Sequence, residues 1–371
     1  MRRTSIKPKR LHQLAQEYLS ERPIAPPNPK GGRPRTYDDA LILTIACIQN
    51  LNSYSFREAL EYCEDHFKEL PALSSYHERL GKFTADITQG FIEYIGKKIR
   101  TSAKDAPNGG RIFVMDGTGF SYHDVYLMKL FNGMEVRKIR THVKIGALMG
   151  LAGKKRYIVS ARAGPAYAGD TTLIQPQLEA LPKGKGYVLG DKGFDSIRVM
   201  TTIAAKGYHP VIPIKQGRRL KRVKEPLRIQ SDKNASKKIY TKRPLVEGLF
   251  GNVKQKLSSH VRIFKLEIAK TFALLRFALL NTSVLVGIEN AVALWLRFPN
   301  SATRNPNGNL KSSLAIQQAP PLKPSALRPE LSVEGFLARP SLRSGLLPIR
   351  REPGGFPSDP PFVRFPVANP L

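Results

Sequence analysis

The sequence predicts an α/β protein in which a mixed sheet is flanked by helices and preceded by an all-helical domain. Over residues 36–103, apolar residues recur at helical spacing and helix-capping signals precede them. From Arg111 onward, short apolar runs bounded by glycine replace this pattern, first in hairpin order and then alternating with helices. Hairpin strands followed by alternating helices and strands indicate a mixed sheet with helices on its faces.

The composition favours a polyanionic partner. The 371 residues include 60 Lys and Arg against 29 Asp and Glu, a formal net charge of +31. Nucleic acid is the expected partner, and an anionic membrane surface is the alternative, although no basic amphipathic anchor is visible. The longest apolar stretch, Phe277 to Leu296, contains polar residues, which favours a buried helix over a membrane span.

Cysteine usage and the N-terminus predict the compartment. Cys47 and Cys63 lie in apolar helical pattern without metal-site spacing, and no apolar core follows the basic N-terminus as in a signal peptide. We therefore expect buried thiols in a reducing compartment, and a cytoplasmic, nucleoid-associated protein.

The N-terminal part divides into a basic arm and a helical domain. Residues 1–35 are expected to be a charged linker, with minor-groove binding by Gly-Arg-Pro as the alternative. Residues 36–103 are expected to form a helical DNA-binding domain. Two of its helices resemble a helix-turn-helix that presents His77, Arg79 and Lys82, whereas a bundle that only packs is an equal alternative. The predicted helices span about Ala40–Leu51, Ser55–His66, Ser75–Phe83 and Ala85–Ile99, and Ser55 and Ser75 open capping-box patterns.

Residues 111–298 are expected to form the catalytic domain, in which one or two long helices after Phe264 cover the sheet. The predicted strands are Ile112–Met115, Val143–Leu151, Tyr157–Ala163, Tyr187–Leu189 and Pro210–Ile214, with helices at Asp170–Leu181 and Ser196–Ala205. The tail 299–371 holds nearly half of the prolines and no plausible core, so disorder is expected, with translated readthrough as the alternative.

Two aspartates each follow an apolar run and precede a glycine. Asp116 follows Arg-Ile-Phe-Val-Met, and Asp191 follows Gly-Tyr-Val-Leu-Gly. An aspartate at the end of a buried strand is costly unless it is paired or holds a metal. Together with Glu247, these two carboxylates would provide an all-oxygen site for Mg²⁺.

Glu247 lies in a basic and apolar run. Tyr240, Arg243 and Lys254 stand at offsets −7, −4 and +7 from it, on one narrow face of a helix. Pro244 is tolerated only in a first helical turn, so the helix is expected to begin near Arg243 and leave Tyr240 in the lead-in. A carboxylate beside cations suits a metal ion and a phosphate. For this segment alone, an ordinary amphipathic helix with a solvated charged face is the favoured alternative.

Basic residues are concentrated beside this helix. Between Lys215 and Lys256 there are fourteen Lys or Arg against three acids, and a DNA backbone is expected along segment 215–242. A solvated charge run is the alternative. The candidate DNA contacts outside the Glu247 helix are Lys192, Arg218, Arg219, Lys221 and Arg222.

Three further titratable residues have simpler expected roles. His142 opens a strand near Asp116, where an ordinary surface or core histidine is favoured. Asp170 and Asp195 precede predicted helices, where they are expected to be N-caps.

Residues 30–298 resemble the prokaryotic insertion-sequence transposases of the DDE class. The resemblance depends on Val-Met-Asp116-Gly-Thr, on Leu-Gly-Asp191-Lys-Gly-Phe-Asp-Ser, and on Tyr240-x2-Arg243-x3-Glu247-x6-Lys254, which reproduces the family's Tyr-Arg-Glu-Lys signature. The carboxylates are separated by 191 − 116 = 75 and 247 − 191 = 56 residues. The resemblance implies a ribonuclease-H-like catalytic domain with Asp116, Asp191 and Glu247 as catalytic residues and metal ligands.

The resemblance also implies the chemistry and the partners. Two Mg²⁺ ions, with Mn²⁺ as the alternative, would support cleavage at the element ends and joining of the 3′-hydroxyl ends to target DNA. Arg243 and Lys254 would hold phosphates, and Tyr240 would stack on an unpaired base, position a phosphate or pack in the core. The expected partners are double-stranded DNA at the terminal repeats and target and a second copy in a homodimer, without a membrane. A nuclease without strand transfer and a catalytically silent DNA-binding protein are the alternatives.

Overall fold

The computed structural model describes residues 6–24, 37–102, 111–131, 135–152, 155–215 and 225–297. Its helices are α1 (Pro8–Glu21), α2 (Asp39–Asn52), α3 (Phe56–Glu64), α4 (Leu73–Gly81), α5 (Ala85–Ser102), α6 (Asp170–Ala180), α7 (Ile197–Ala205), α8 (Pro226–Ala235), α9 (Pro244–Leu257) and α10 (Leu266–Arg297). Its strands are β1 (Arg111–Phe131), β2 (Glu135–Ala152), β3 (Lys155–Gly164), β4 (Gly186–Leu189), β5 (Tyr208–Val211) and β6 (His260–Val261).

The strands form one mixed sheet with β1 at its centre. The order is β3-β2-β1-β4-β5, and β6 pairs with a later part of β1. The β1–β2 and β2–β3 pairs are antiparallel, whereas β4 and β5 add in parallel on the other side of β1. This order and these directions are those of the ribonuclease-H-like fold, so the predicted fold class is confirmed.

Helix α10 is the centre of the main hydrophobic core. Its buried side chains join a cluster that also contains residues of the N-terminal helices, the sheet and α9. The window Leu266–Ala291 is long and apolar enough to cross a membrane, but 67% of it is buried inside the protein, as is usual for a core helix. Cys47 and Cys63 are buried free thiols, as predicted.

The basic arm predicted at residues 1–35 contains a helix, which corrects the linker prediction for this part. In α1 the apolar residues repeat at helical spacing, and Pro8 occupies the first turn, where proline is tolerated. The buried side chains of α1 are Leu11, Leu14, Ala15, Tyr18 and Leu19. The basic composition concealed this amphipathic pattern. Residues 25–36, including the Gly-Arg-Pro sequence, lie outside the described residues.

In the predicted helix-turn-helix, part of the expected DNA-reading face is engaged within the protein. Arg79 of α4 donates hydrogen bonds to the Asp39 carboxylate and to the Tyr37 carbonyl. The His77 ring packs against Phe56 with a centroid distance of 5.3 Å. These contacts favour the alternative that α3 and α4 pack as part of a bundle, and a DNA-binding role for these helices stays a prediction.

The two predicted capping boxes differ in outcome. Ser55 and Glu58 form the reciprocal capping box at the start of α3. Helix α4 instead begins at Leu73 after the N-cap Ala72, so Ser75 lies inside the helix.

Strand β1 continues far beyond the predicted end at Met115. Asp116 therefore lies inside a strand, paired with Ala147, rather than at a strand end. Gly117 and Gly119, which had indicated a break, remain paired with β2. Glycine is needed here for another reason, because neighbouring side chains lie directly over this backbone.

The basic segment predicted at 215–242 contains helix α8. Ser231 of α8 exchanges hydrogen bonds with the backbone of Ile212, and Asn234 donates to the Pro210 carbonyl. This helix is thus fixed to the end of the sheet. The candidate contacts Arg218, Arg219, Lys221 and Arg222 lie outside the described residues, as does the tail 299–371.

A single side-chain amide satisfies the outward-facing backbone of Ile158 on the edge strand β3. Strand β3 is an edge strand, and Asn281 of α10 both accepts from Ile158 N and donates to Ile158 O, each at 2.8 Å. Asn281 also donates to the Ile92 carbonyl of α5 at 3.3 Å, and its side chain is fully buried. Asn281 therefore joins α10 to the edge strand β3 and to α5.

Replacing this amide should destabilise the protein. In Asn281→Ala the buried Ile158 amide and carbonyl lose their partner, which we expect to lower the free energy of unfolding by about 2–4 kcal/mol. The exposed Asn290 on the same helix is the matched control, and Asn290→Ala should change stability by less than about 0.5 kcal/mol. Urea unfolding measures both, and equal midpoints for the two variants would contradict this role.

Candidate active site

The sheet places the two aspartates side by side. Strands β1 and β4 are adjacent and parallel, with Val114 opposite Leu189. Asp116 and Asp191 each follow by two residues, so they lie next to one another. The Asp116 carboxylate accepts from Gly117 N, and that of Asp191 accepts from Gly193 N, each at 2.8 Å.

Helix α9 brings the third carboxylate to the aspartates. It begins at Pro244, as predicted, with Arg243 as the N-cap residue. One face is buried through Val246, Leu249, Phe250, Val253 and Leu257. Glu247 lies in the first turn beside this buried face, about 100° around the helix from Val246, with 54% of its side chain exposed. The apolar spacing thus fixes the direction in which Glu247 points.

The end of α9 is fixed by a buried arginine. Strand β6 follows the helix and pairs with Ser121 and Tyr122 of β1. Arg276 of α10 donates to the carbonyls of Ser258 and His260, at 2.8 and 2.7 Å. These bonds fix the segment after α9 to α10, and the pairing of β6 with β1 connects it to the strand that carries Asp116.

The guanidinium of Arg243 lies between the three carboxylates. Its Nη2 is 3.6 Å from Asp116 Oδ2 and 3.8 Å from Asp191 Oδ2. Its Nη1 donates to Glu247, one helical turn further on. The Arg243 side chain is only 20% exposed, and its Nε is buried without a hydrogen-bond partner among the described residues. One internal cation therefore contacts all three predicted catalytic acids.

Groups of both charge signs act on the pKa of Asp116. Burial raises the pKa of Asp116, the Asp191 and Glu247 carboxylates add to that rise, and Gly117 N and Arg243 oppose it. No three His, Cys, Asp or Glu side chains within the described residues are already arranged to hold a metal ion. The three carboxylates instead meet through Arg243.

Of the roles left open for Tyr240, the structure shows core packing, and a contact to a base or a phosphate stays a prediction. Tyr240 lies in a short 3-10 turn before α9 and packs against the main core. Burial raises its pKa, Arg243 opposes this rise, and the carboxylates of Asp191, Asp116 and Glu247 add to it. Its hydroxyl therefore experiences the field of the site.

The two predicted lysines lie at the edge of the site. The Lys254 ammonium is 5.6 Å from the centre of the Phe120 ring, and burial lowers its pKa. Lys192 is exposed in the short turn after Asp191.

Asp170 and Asp195 are not the N-caps predicted from the sequence. Asp170 is the first residue of α6 after the N-cap Gly169, and it forms an ion pair with Lys144 at 3.1 Å. Asp195 accepts two hydrogen bonds from Arg228, at 2.9 and 2.7 Å, and one from Lys215 N. Both carboxylates have partners distant in sequence, which local helix-start signals do not reveal.

Comparison with known proteins identifies the family. The family described as "Transposase DDE domain" matches residues 107–282. A protein of Aquifex aeolicus (strain VF5), described as uncharacterized, is 30% identical over 263 residues, which is 69% of this chain and 80% of that protein. The solved Drosophila P element transposase strand transfer complex is similar over 52% of this chain and 42% of that chain, at 13% identity and a TM-score of 0.25. The domain match and the extended relationship to the Aquifex protein show that this chain belongs to the DDE transposase family.

Proposed function

We propose that this protein cuts the ends of its own DNA element and joins the resulting 3′-hydroxyl ends to target DNA. The observation that carries this proposal is the convergence of Asp116, Asp191 and Glu247 on one cation. A nuclease would need the same carboxylates, so a strand-transfer assay separates the two activities. Double-stranded DNA is the substrate, and a pair of ends requires at least two copies of the chain.

The carboxylates suit Mg²⁺ or Mn²⁺ in chemical type. These ions prefer oxygen ligands. The guanidinium of Arg243 lies where the carboxylates stabilise positive charge, which is where a metal ion would bind. When bound, two such ions would activate a water or a 3′-hydroxyl and stabilise the leaving oxygen. Asp116, Asp191 and Glu247 are the residues that would hold them.

The basic residues of the site are proposed to bind phosphate. Once Arg243 leaves the carboxylates, its planar guanidinium can bind two oxygens of a backbone phosphate, whereas Lys254 acts as a point charge. Arg243 thus exchanges one set of anionic oxygens for another. DNA binding and metal binding should each favour the other. A metal ion needs Arg243 to leave the carboxylates, and a DNA phosphate stabilises Arg243 once it has left them.

Removal of one aspartate should abolish cutting while DNA binding remains. We expect Asp191→Asn to reduce metal-dependent nicking at the terminal repeats to the level seen in EDTA, because one ligand charge is lost. The exposed Asp86 of α5 is the control, and Asp86→Asn should cut like the wild type. Gel assays of nicking and of DNA binding test this, and normal cutting by Asp191→Asn would contradict the assigned site.

Removal of the internal cation should strengthen metal binding in the absence of DNA. We expect Arg243→Gln to bind Mn²⁺ about tenfold or more tightly than the wild type, which corresponds to about 1.4 kcal/mol. The ion then no longer competes with a guanidinium that contacts three carboxylates. Titration calorimetry of the DNA-free protein measures this affinity directly.

The control for this experiment is Lys254→Gln, which removes a positive charge whose side chain lies against the Phe120 ring. It should raise the affinity for Mn²⁺ much less than Arg243→Gln does. Equal affinities in all three proteins, or equal gains in the two variants, would show that Arg243 does not occupy the place of the metal.

A further inference from the structure

A cleft opens beside Asp116 and Asp191. Its volume is about 330 Å³, and it reaches from the two catalytic aspartates along β1 and β2 to the start of α6. The side chains of His142, Lys144 and Asp170 line it. None of these three was assigned a role in the reaction from the sequence.

Two glycines form the floor of this cleft. A Cβ atom at Gly117 would lie 2.6 Å from Asp170 Oδ1, and one at Gly119 would lie 2.8 Å from the His142 ring. Gly146, which pairs with Gly117, allows equally close approach of Leu173 in α6. The two glycines of Asp116-Gly-Thr-Gly thus allow His142 and the start of α6 to lie directly against the backbone of β1, next to Asp116.

Basic groups are concentrated along this floor. Burial lowers the pKa of His142, and the nearby charges of Lys144 and Lys254 lower it further. Lys144 pairs with Asp170 at 3.1 Å, whereas His142 has no hydrogen-bond partner among the described residues. Asp116 and Asp191 also line the cleft, and Arg243 contacts both of them. Apart from these two aspartates, the ammonium groups of Lys144 and Lys254 carry more charge near His142 than the carboxylate of Asp170 offsets.

We propose that this cleft binds a DNA backbone phosphate next to the one that is cut, through Lys144, His142 and Lys254. The proposal rests on the proposed function and adds two positioning residues, Lys144 and His142, to it. Lys144 supplies the charge, and the imidazole of His142 supplies a hydrogen-bond donor directed over the glycine floor. Asp170 holds Lys144 in the cleft and yields it to the phosphate.

A structural ion pair is the simpler explanation for Lys144 and Asp170, and the two explanations predict different results. If the pair only stabilises the fold, then removing either partner has the same effect. If Lys144 binds a phosphate, then Lys144→Gln weakens DNA binding and Asp170→Asn strengthens it, because a carboxylate that competes with the phosphate is removed. His142→Asn leaves the ion pair intact and should also weaken binding.

The experiment measures the affinity for a labelled duplex that carries the flanking terminal repeats, in EDTA and over a series of salt concentrations. Lys144→Gln should weaken binding and reduce the slope of log affinity against log salt by about 1, because one phosphate contact is lost. Lys185→Gln is the matched control, since Lys185 is exposed at the opposite end of β4 from Asp191. It should leave the slope unchanged.

Three results would overturn the proposal. These are an unchanged slope in Lys144→Gln, an equal loss in Lys144→Gln and Lys185→Gln, and an equal loss of DNA binding and thermal stability in Lys144→Gln and Asp170→Asn. The binding assay is done in EDTA and does not depend on metal-dependent cutting. A wild-type protein that fails to nick DNA in Mg²⁺ would therefore count against the proposed function, and the binding result for Lys144→Gln would still stand.

Discussion

Three carboxylates that are brought close together repel one another, and the guanidinium of Arg243 is the cation that offsets this repulsion. It contacts Asp116 and Asp191 through one nitrogen and Glu247 through another. Two structural features produce this arrangement. The parallel β1–β4 pair places the aspartates side by side, and Arg243 and Glu247 lie one turn apart at the start of α9. The same concentration of negative charge would attract divalent cations, whose binding would relieve the repulsion.

The scaffold is held by buried polar contacts as well as by apolar packing. Arg276 bonds to the backbone after α9, and Asn281 closes the edge of β3, so α10 secures both the Glu247 helix and the sheet. The N-terminal helices contribute to the same core. A site built on such elements keeps its three carboxylates in place around Arg243.

Features that depend on neighbouring residues, such as the strands and the positions of the carboxylates, could be predicted from the sequence. Asp191 follows an apolar strand run, and Glu247 lies at fixed spacing from Arg243 and Lys254, so both were found from nearby residues. The length of β1 was not found, because Gly117 and Gly119 indicate a break although they serve close approach by Asp170 and His142. Pairings between distant segments, such as Asp195 with Arg228, leave no local signal and required the structure.

The most direct test of the account is a crystal structure of the DNA-free protein soaked in Mn²⁺, with the ion located by its anomalous scattering. We expect the ion between Asp116 and Asp191, with Arg243 displaced from both carboxylates and Glu247 turned toward the metal. A manganese site elsewhere, or an ion bound at these aspartates while Arg243 keeps its three contacts, would contradict the claim that Arg243 holds the place of the metal.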